Sequence, residues 1–366
     1  MPGLFDPYKL KDVSLRNRIV VSPMCQYMAE DGVVNDWHQV HYSSLARGGS
    51  GLVIVEASAV APEGRISWAD LGLWNDTQAA ALKEIVREVK QYGAVPGIQI
   101  GHAGRKASAN RPWEGDDHMS ADDPRAWQNI APSPIAFGAN LSRVPREMTV
   151  EDIARVQADT VRAAERALEA GFEWLQLHYA HGYLAQNFFS PISNHRTDSY
   201  GGNAENRARY LFETFKAVRK VWPDHLPLTA RLGVIEFAGK EEDEQMVAEA
   251  IDLLKRLKDE GLDFIDVSMG FNTPDAQIPW GPNFMAGTAQ LIREQTGLPS
   301  TTSWYISQPQ EADNLIRQQK VDLITLGRPL LSDPHWPYHA AKQLNVEDAA
   351  WATLPAPYAH WLARYR

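Results

Sequence analysis

Residues 149–183, TVEDIARVQADTVRAAERALEAGFEWLQLHYAHGY, contain the unit from which the fold can be inferred. The stretch opens with Thr-Val-Glu-Asp, a capping-box pattern, and its helical pattern ends at Gly171, a residue type that commonly closes helices. The apolar run 172–178 follows and predicts a buried strand. Two histidines and a tyrosine, His178, His181 and Tyr183, emerge together where this strand ends, which predicts a functional site at that point.

Apolar runs of strand length recur along the whole chain, and several lack the polar alternation of half-exposed strands. This is typical of parallel strands that are covered by helices. Helical patterns lie between them, at 77–92, 149–170, 206–222 and 242–260. The predicted strands are 19–23, 52–60, 95–100, 172–178, 226–232, 264–269, 298–304 and 323–327.

Eight strand–helix units over 366 residues predict a single-domain α/β protein, a (β/α)₈ TIM barrel spanning 1–366. The alternative is a doubly wound sheet, which normally binds a dinucleotide through a GxGxxG turn after its first strand. The chain contains no such string. The segment 103–146 is too long for a barrel connection, so we expect a lid or binding loop after the third strand.

The composition narrows the classes of function. A net charge of -10 argues against nucleic acid as a partner, because phosphate backbones are bound by basic surfaces. No apolar run approaches the ~20 residues that cross a bilayer, and the first residues show no basic-then-apolar leader. The single cysteine, Cys25, excludes an internal disulfide. These features predict a cytoplasmic protein that binds neither nucleic acid nor membrane.

Polar or reactive residues stand at the C-terminal ends of seven of the eight predicted strands, where TIM barrels place their active sites. So many such groups at one end favour a site over chance. They are Pro23-Met24-Cys25-Gln26-Tyr27, Glu56-Ala57-Ser58, Gln99 with His102 beyond it, His178 with His181 and Tyr183, Arg231, Trp304, and Gly327-Arg328.

The two histidines leave three interpretations open. A metal site needs three or four ligands, and the third would be His102 or a carboxylate such as Glu56. No HExxH or CxxC string supports a metal. The histidines could also bond neighbouring carbonyls in a structural role. The third interpretation, which we favour, is that they anchor an oxygen of the substrate.

The remaining strand-end residues are individually ambiguous. Arg231 either forms an internal salt bridge or places a permanent positive charge beside an anionic cofactor ring. Cys25 fits inert packing as well as chemistry. Gly327-Arg328 fits the phosphate site that commonly follows strands seven and eight of a barrel. Glycine lets the backbone approach the phosphate, and the guanidinium of arginine can donate two hydrogen bonds to it.

Four motifs, in the correct order along nearly the whole chain, resemble the old yellow enzyme family of flavin-dependent ene-reductases on a (β/α)₈ barrel. Cys25 and the Pro-Tyr-Ala-His-Trp at 357–361 are most similar to its bacterial thermophilic-like branch, near the xenobiotic reductases. The motifs are Pro-Met-Cys-Gln-Tyr at 23–27, His-x-x-His-Gly-Tyr-Leu at 178–184, Thr-Asp-Ser-Tyr-Gly-Gly-Asn-Ala-Glu-Asn-Arg at 197–207, and Gly-Arg at 327–328.

The resemblance implies a tightly but non-covalently bound FMN, with NAD(P)H as the reductant. It places Cys25 near the flavin, where the thiol tunes the redox potential. The segment 304–308, Trp-Tyr-Ile-Ser-Gln, departs from the family, whose small residues there contact the phosphate. We expect its bulk to shift the phosphate or loosen FMN unless backbone amides bind it. The implied FMN neighbours are Pro23, Met24, Ala57, Gln99 and Arg231 at the ring, with Arg231 near N1 and O2, and Gly327 and Arg328 at the phosphate.

The resemblance also implies a ping-pong hydride transfer to the activated C=C of α,β-unsaturated carbonyl compounds, with nitro compounds as further acceptors. His178 and His181 then donate hydrogen bonds to the substrate oxygen, and Tyr183 donates the proton. Tyr27 and Trp304 shape the pocket. Trp361 is expected to reach the active site of a neighbouring subunit in a homodimer or homotetramer. A metal-dependent hydrolase on the same barrel is the alternative function.

Overall fold

The computed structural model describes residues 1–365. Eight parallel strands close into a barrel in chain order, which confirms the predicted (β/α)₈ fold. Each strand ends within two residues of its predicted C-terminus. The strands are β1 (Ile19–Val21), β2 (Leu52–Ala59), β3 (Val95–Gly101), β4 (Trp174–Tyr179), β5 (Leu228–Gly233), β6 (Phe264–Ser268), β7 (Ser300–Thr302) and β8 (Leu323–Leu326).

Eight main helices surround the barrel, and the four predicted helical patterns correspond to α2 through α5. They are α1 (Asp36–Arg47), α2 (Asp76–Gln91), α3 (Val150–Ala170), α4 (Ala204–Arg219), α5 (Lys240–Asp259), α6 (Ala286–Thr296), α7 (Pro309–Arg317) and α8 (Trp336–Gln343). Shorter helical segments are Pro62–Gly64, Gly104–Lys106, Pro112–Glu114, Leu184–Phe189, Arg328–Ser332, Ala349–Thr353 and Ala356–Leu362. Within the described part of the chain, every helix is too short or too polar to traverse a lipid bilayer.

The predicted caps of α3 are present and direct the chain into β4. The Thr149 hydroxyl accepts the N–H of Asp152 at 3.1 Å, and the Asp152 carboxylate accepts the N–H of Thr149 at 2.9 Å. Gly171 ends the helix with φ of 94°, a conformation that glycine adopts without a side-chain clash. Every residue of β4 is buried, as expected for a strand that is covered on both faces.

Apolar packing fills the N-terminal end of the barrel. An antiparallel hairpin of Tyr8–Leu10 and Val13–Leu15 precedes β1. Val13 and Leu15 pack into a cluster with residues at the starts of the strands, among them Leu52 and Trp174. The C-terminal ends of the strands are therefore left for a site.

The segment 103–146 packs across those C-terminal ends. It contains a two-residue strand, Ile130–Ala131, which pairs with Arg146–Glu147. Trp113 packs edge-on against Tyr27 with ring centroids 5.9 Å apart, and Trp127 donates its indole N–H to the Glu63 carbonyl at 2.9 Å. The segment thus lies where a lid is expected, and its opening and closing stay a prediction.

Candidate active site

The predicted cluster of His178, His181 and Tyr183 is present at the end of β4. The two imidazole rings are perpendicular with centroids 5.0 Å apart, and the Tyr183 ring is also 5.0 Å from His178. His181 and Gly182 adopt φ of 63° and 67°, so the chain turns sharply between the rings. This turn brings the phenol back beside the first imidazole.

Hydrogen bonding distinguishes the two imidazoles. Nδ1 of His178 is buried and has no hydrogen-bond partner among residues 1–365. Nε2 of His181 lies 2.7 Å from the Ser268 hydroxyl oxygen, and this oxygen accepts the indole N–H of Trp304 at 3.2 Å. Leaving a buried polar group unpaired is costly, so His178 is suited to bond a ligand.

Burial sets the protonation states of the cluster. Burial first, and then the charge of Arg231, lower the pKa of both His178 and His181 well below the usual range. Burial raises the pKa of the Tyr183 hydroxyl. At neutral pH the cluster therefore offers two neutral imidazoles, each able to donate a hydrogen bond, and one protonated phenol.

Lys106 supports the turn between the rings and was not predicted from the sequence. Its ammonium donates to the carbonyls of His181 and Phe271, both at 2.8 Å. Burial, followed by the charge of Arg105, lowers the pKa of Lys106 to about 7. Its position two residues after Gly104, within the long excursion, gave no signal, because the contact to His181 spans 75 residues of sequence.

A cleft of about 560 Å³ lies beside the cluster, between the ends of β1, β5, β7 and β8. A second cavity of about 20 Å³ lies against Ala57, His178 and Tyr183. The larger volume is within the usual range for a small-molecule site. The predicted residues that line the cleft are Met24, His181, Arg231, Trp304, Gly327 and Arg328, and Ser22 and Ser303 join them.

Arg231 both forms an internal ion pair and faces the cleft, so the two interpretations of this residue are compatible. It is buried, and its guanidinium Nη2 donates to the Ser303 hydroxyl at 2.7 Å. Its Nε lies 3.3 Å from a carboxylate oxygen of Asp266, a residue on β6. No site residue was predicted on β6, yet this strand supplies both Asp266 and Ser268.

The other predicted residues are distributed around the cleft. Half-buried Pro23 precedes Met24, and burial raises the pKa of the neighbouring Cys25 thiol. Tyr27 takes φ of 55° beneath the excursion. Gln99 is buried in the barrel and donates its side-chain amide to the Gln176 side-chain oxygen at 2.6 Å, and its contact with a cofactor stays a prediction.

Trp361 lies apart from this cleft within the chain. It is 71% exposed, on the helix Ala356–Leu362, and lines a separate groove of about 470 Å³ together with Tyr338, Tyr358 and Tyr365. Its predicted role concerns a neighbouring subunit, and that role stays a prediction.

Glu56 holds the segment that follows β1. The pairing of β2 with β3 shifts register between Val55 and Ser58, and such bulges re-aim side chains near sites. The buried Glu56 carboxylate accepts the Gln26 N–H and the Tyr42 hydroxyl, both at 2.8 Å. Burial raises the pKa of Glu56 to about 8.

The segment 304–308 has an unusual backbone. Trp304 and Tyr305 adopt φ of 79° and 58°, a region that disfavours side chains larger than glycine. The main-chain N–H groups of Tyr305, Ile306 and Ser307 donate no hydrogen bond within the described residues. These free donors at the edge of the cleft are suited to an anion.

The proposed metal ligands do not assemble into a binding group. Among residues 1–365, no set of three His, Cys, Asp or Glu side chains is arranged to hold a metal ion. His102, the suggested third ligand, turns Nδ1 to the N–H of Gly104 at 3.0 Å.

Comparison with known proteins identifies the family. Residues 3–347 match the family model described as NADH:flavin oxidoreductase / NADH oxidase. The chain belongs to this family. It is 41% identical over 346 residues to the NADPH dehydrogenase of Geobacillus thermodenitrificans, covering 94% of this chain and 95% of that protein. It is therefore an FMN-dependent NAD(P)H oxidoreductase.

Solved structures agree with this assignment. Morphinone reductase in complex with tetrahydroNAD matches with a TM-score of 0.78 and 26% identity, covering 98% of this chain and 93% of that one. An old yellow enzyme homologue from Zymomonas mobilis matches with a TM-score of 0.77 and 25% identity, covering 98% of this chain and 99% of that one. The resemblance to the old yellow enzyme family is confirmed.

The cleft has the chemistry that FMN requires. Arg231 places a buried cation at its inner end, and Arg328 is exposed at its outer end without an ion pair in the part of the chain that the structure describes. Met24, Ile306 and Leu331 add apolar surface to the lining of the same cleft. A flat ring with an anionic tail matches this arrangement of charge and apolar wall.

Proposed function

We propose that the enzyme reduces the activated C=C of α,β-unsaturated carbonyl compounds with NAD(P)H and also accepts nitro compounds. The observation that carries this proposal is the pair of neutral imidazoles beside a phenol, of which one imidazole, that of His181, lines a cleft that fits FMN. FMN, when bound, supplies the hydride chemistry between nicotinamide and substrate.

We assign the ring of the cofactor to Pro23, Met24, Ala57, Gln99 and Arg231, with Cys25 beside it, and the phosphate to Gly327 and Arg328. The free N–H groups of residues 305–307 support the phosphate end of this assignment, because backbone donors bind phosphate without help from side chains. The bulky segment 304–308 can therefore serve the phosphate through its main chain.

His178 and His181 hold the substrate oxygen. Each neutral ring has one N–H to donate, and the unpaired nitrogen of His178 gains a partner when the oxygen arrives. These bonds strengthen as negative charge develops on the oxygen, so they stabilise the transition state more than the bound substrate. Removal of one such donor costs about 10²–10³ in rate.

Tyr183 supplies the proton to the α-carbon. Burial keeps its hydroxyl protonated at neutral pH, so the proton is present when the substrate binds. The phenol ring lies against His178, within reach of the same bound molecule. A positioned acid of this kind contributes about 10²–10⁴ in rate.

Aromatic side chains limit the shape of the substrate. Trp304 packs at 5.7 Å from both His181 and Phe271, and Trp280 packs against Trp304 at 6.0 Å. This wall favours substrates that are small or flat and that can stack on the cofactor ring. Tyr27 and Trp304 are our candidates for the residues that shape the pocket.

The test is Tyr183→Phe, which removes the hydroxyl and keeps the ring. Anaerobic stopped-flow should show that NAD(P)H reduces the bound flavin at the wild-type rate, whereas 2-cyclohexenone reduction slows by about 10²–10⁴. The matched control is Tyr179→Phe, since the Tyr179 hydroxyl donates to the Leu211 carbonyl away from the cleft. Wild-type turnover of the enone by Tyr183→Phe would contradict the proton-donor role.

A further inference from the structure

A row of buried polar side chains crosses the barrel beneath the cleft. Gln99 on β3 donates to Gln176 on β4 at 2.6 Å, and Gln176 approaches a carboxylate oxygen of Asp266 at 3.5 Å. The same oxygen of Asp266 lies 3.3 Å from Nε of Arg231 on β5. None of the four is more than 4% exposed. The row therefore connects two residues that we assign to the flavin, Gln99 and Arg231.

Within residues 1–365, Arg231 is the one charged side chain that pairs with Asp266. Its other oxygen, Oδ1, has no hydrogen-bond partner among residues 1–365, and Nε of Arg231 is likewise without a directed bond. From the elements packed against it, β4 presents the neutral Gln176, and β7 pairs through Thr301. Charge attraction therefore holds Asp266 and Arg231 together, because they make no well-directed hydrogen bond to each other.

A fully buried carboxylate with so few partners is expensive to keep in a barrel interior. Burial raises the pKa of Asp266 to about 6, and the charge of Arg231 opposes that rise. Asp266 is thus ionised at neutral pH. Its negative charge offsets part of the field that Arg231 projects into the cleft, and such an offset is strong at low dielectric.

We propose that Asp266 is the counter-charge that sets how strongly Arg231 stabilises negative charge at the inner end of the cleft. Asp266 is a positioning residue, because it acts through Arg231 and does not line the cleft. The inference rests on the proposed function, which places the flavin ring against Arg231. Its consequence is that the carboxylate holds the flavin reduction potential below the value that Arg231 alone would give.

The experiment compares holoenzymes of wild type and Asp266→Asn. Sulfite, an anion that adds to oxidised flavins, reports the positive field at the ring. The dissociation constant for sulfite should fall by about tenfold in the variant, equivalent to about one pKa unit of interaction. The two-electron midpoint potential should shift to more positive values, with FMN still bound one to one.

Asp263→Asn is the matched control. Asp263 directly precedes β6 at the opposite end of the barrel, where it pairs with Lys11 at 3.0 Å and with Arg219 at 3.4 Å. The substitution Asp263→Asn removes the same formal charge far from the cleft, so the sulfite affinity of this variant should equal that of wild type. Asp266→Glu, which keeps the charge, should return the affinity toward wild type.

Asp266→Thr provides a second neutral variant, with a residue type suited to strands, should the asparagine variant fail to fold. A folded, FMN-loaded neutral variant with wild-type sulfite affinity and potential would overturn the counter-charge role. Failure of the proposed function would appear in wild type instead, as an FMN-loaded enzyme that does not reduce 2-cyclohexenone, so the two failures are distinguishable.

Discussion

Ser268 is a small residue with a large effect on the chemistry available to His181. The indole N–H of Trp304 can only donate, so the Ser268 oxygen accepts it. Among residues 1–365, the acceptor within reach of the Ser268 proton is Nε2 of His181. His181 then carries its own proton on Nδ1, which is the nitrogen left to donate to a substrate.

Ser268→Ala should leave the His181 ring free to carry its proton on either nitrogen. Phenols bind such flavin sites as charge-transfer complexes, and we expect their dissociation constant to rise about tenfold, as for the loss of about one hydrogen bond. Spectral titration of the charge-transfer band measures this. Ser268→Thr, which keeps the hydroxyl, is the control, and phenol affinity unchanged in Ser268→Ala would refute the tautomer argument.

Some site residues could be predicted from the sequence, and others could not. His178, His181 and Tyr183 follow directly on one strand, so their proximity could be inferred from a single segment. Asp266 and Ser268 lie in the run Phe-Ile-Asp-Val-Ser-Met, which was identified as a strand but yielded no site residue. Their partners come from β4, β5 and the segment after β7, and no local pattern reveals such pairings.

At the scale of elements, the segment 304–308 after β7 shows how its bulky residues strain the backbone. Two consecutive residues, Trp304 and Tyr305, occupy the left-handed region. Glycine enters that region freely, whereas other residues pay about 1 kcal/mol or more each. The small residues that the family resemblance implies at this point would adopt this backbone conformation without that cost.

Tyr305→Gly should relieve part of this strain and let the main chain approach the phosphate more closely. We expect FMN to bind more tightly, while the melting temperature of the apoprotein changes little because glycine also gains freedom in the unfolded chain. Tyr358 lies in a helix with ordinary φ, so Tyr358→Gly should lower the free energy of unfolding by about 1 kcal/mol. Weaker FMN binding in Tyr305→Gly, by fluorescence titration, would contradict this account.

The predicted helices are the four longest, with 16 to 21 residues, whereas the other four main helices have 8 to 12. The helices α2 and α3 have capping boxes at Asn75 and Thr149, and their apolar residues recur on one face. The helices α6 and α8 begin without a side-chain cap, at Met285 and His335. Caps alone do not separate the two groups, because α1 has a capping box and was not predicted, whereas α5 lacks a side-chain cap and was predicted.

At the scale of the molecule, the closed barrel could be predicted because eight similar strand–helix units repeat along the chain, which is the pattern of a (β/α)₈ barrel. The placement of 103–146 could not be predicted in detail. Its anchors, such as Arg105 to the carbonyl of Asn272, join residues 167 apart in sequence. Contacts of that kind depend on the finished barrel, so they are visible only in the structure.

Three buried carboxyls give the whole fold a definite pH dependence. Burial raises the pKa of Glu56 to about 8, and that of Asp70 and of Asp266 to about 6. A raised pKa in the folded state means that the folded protein binds more protons than the unfolded chain. Their contribution to stability is complete below the unfolded pKa and is lost as pH rises through these values.

Lys106 acts in the opposite direction. Its pKa is lowered to about 7, so above pH 7 the unfolded chain binds the extra proton and stability rises with pH. Wild type alone therefore mixes opposing slopes between pH 7 and 8. The difference between wild type and Glu56→Gln isolates Glu56, because every other group is common to both proteins.

Glu56→Gln keeps the shape and one of the two acceptor oxygens but cannot ionise, so its stability relative to wild type should rise between pH 5 and pH 8. A pKa change from 4.5 to about 8 corresponds to a gain of about 2–4 kcal/mol over that window. Urea unfolding at four pH values measures it, with the exposed Glu84→Gln as the control that should show no trend. A flat difference would mean that Glu56 titrates normally, and that the Gln26 N–H and Tyr42 hydroxyl hold its charge as well as water does.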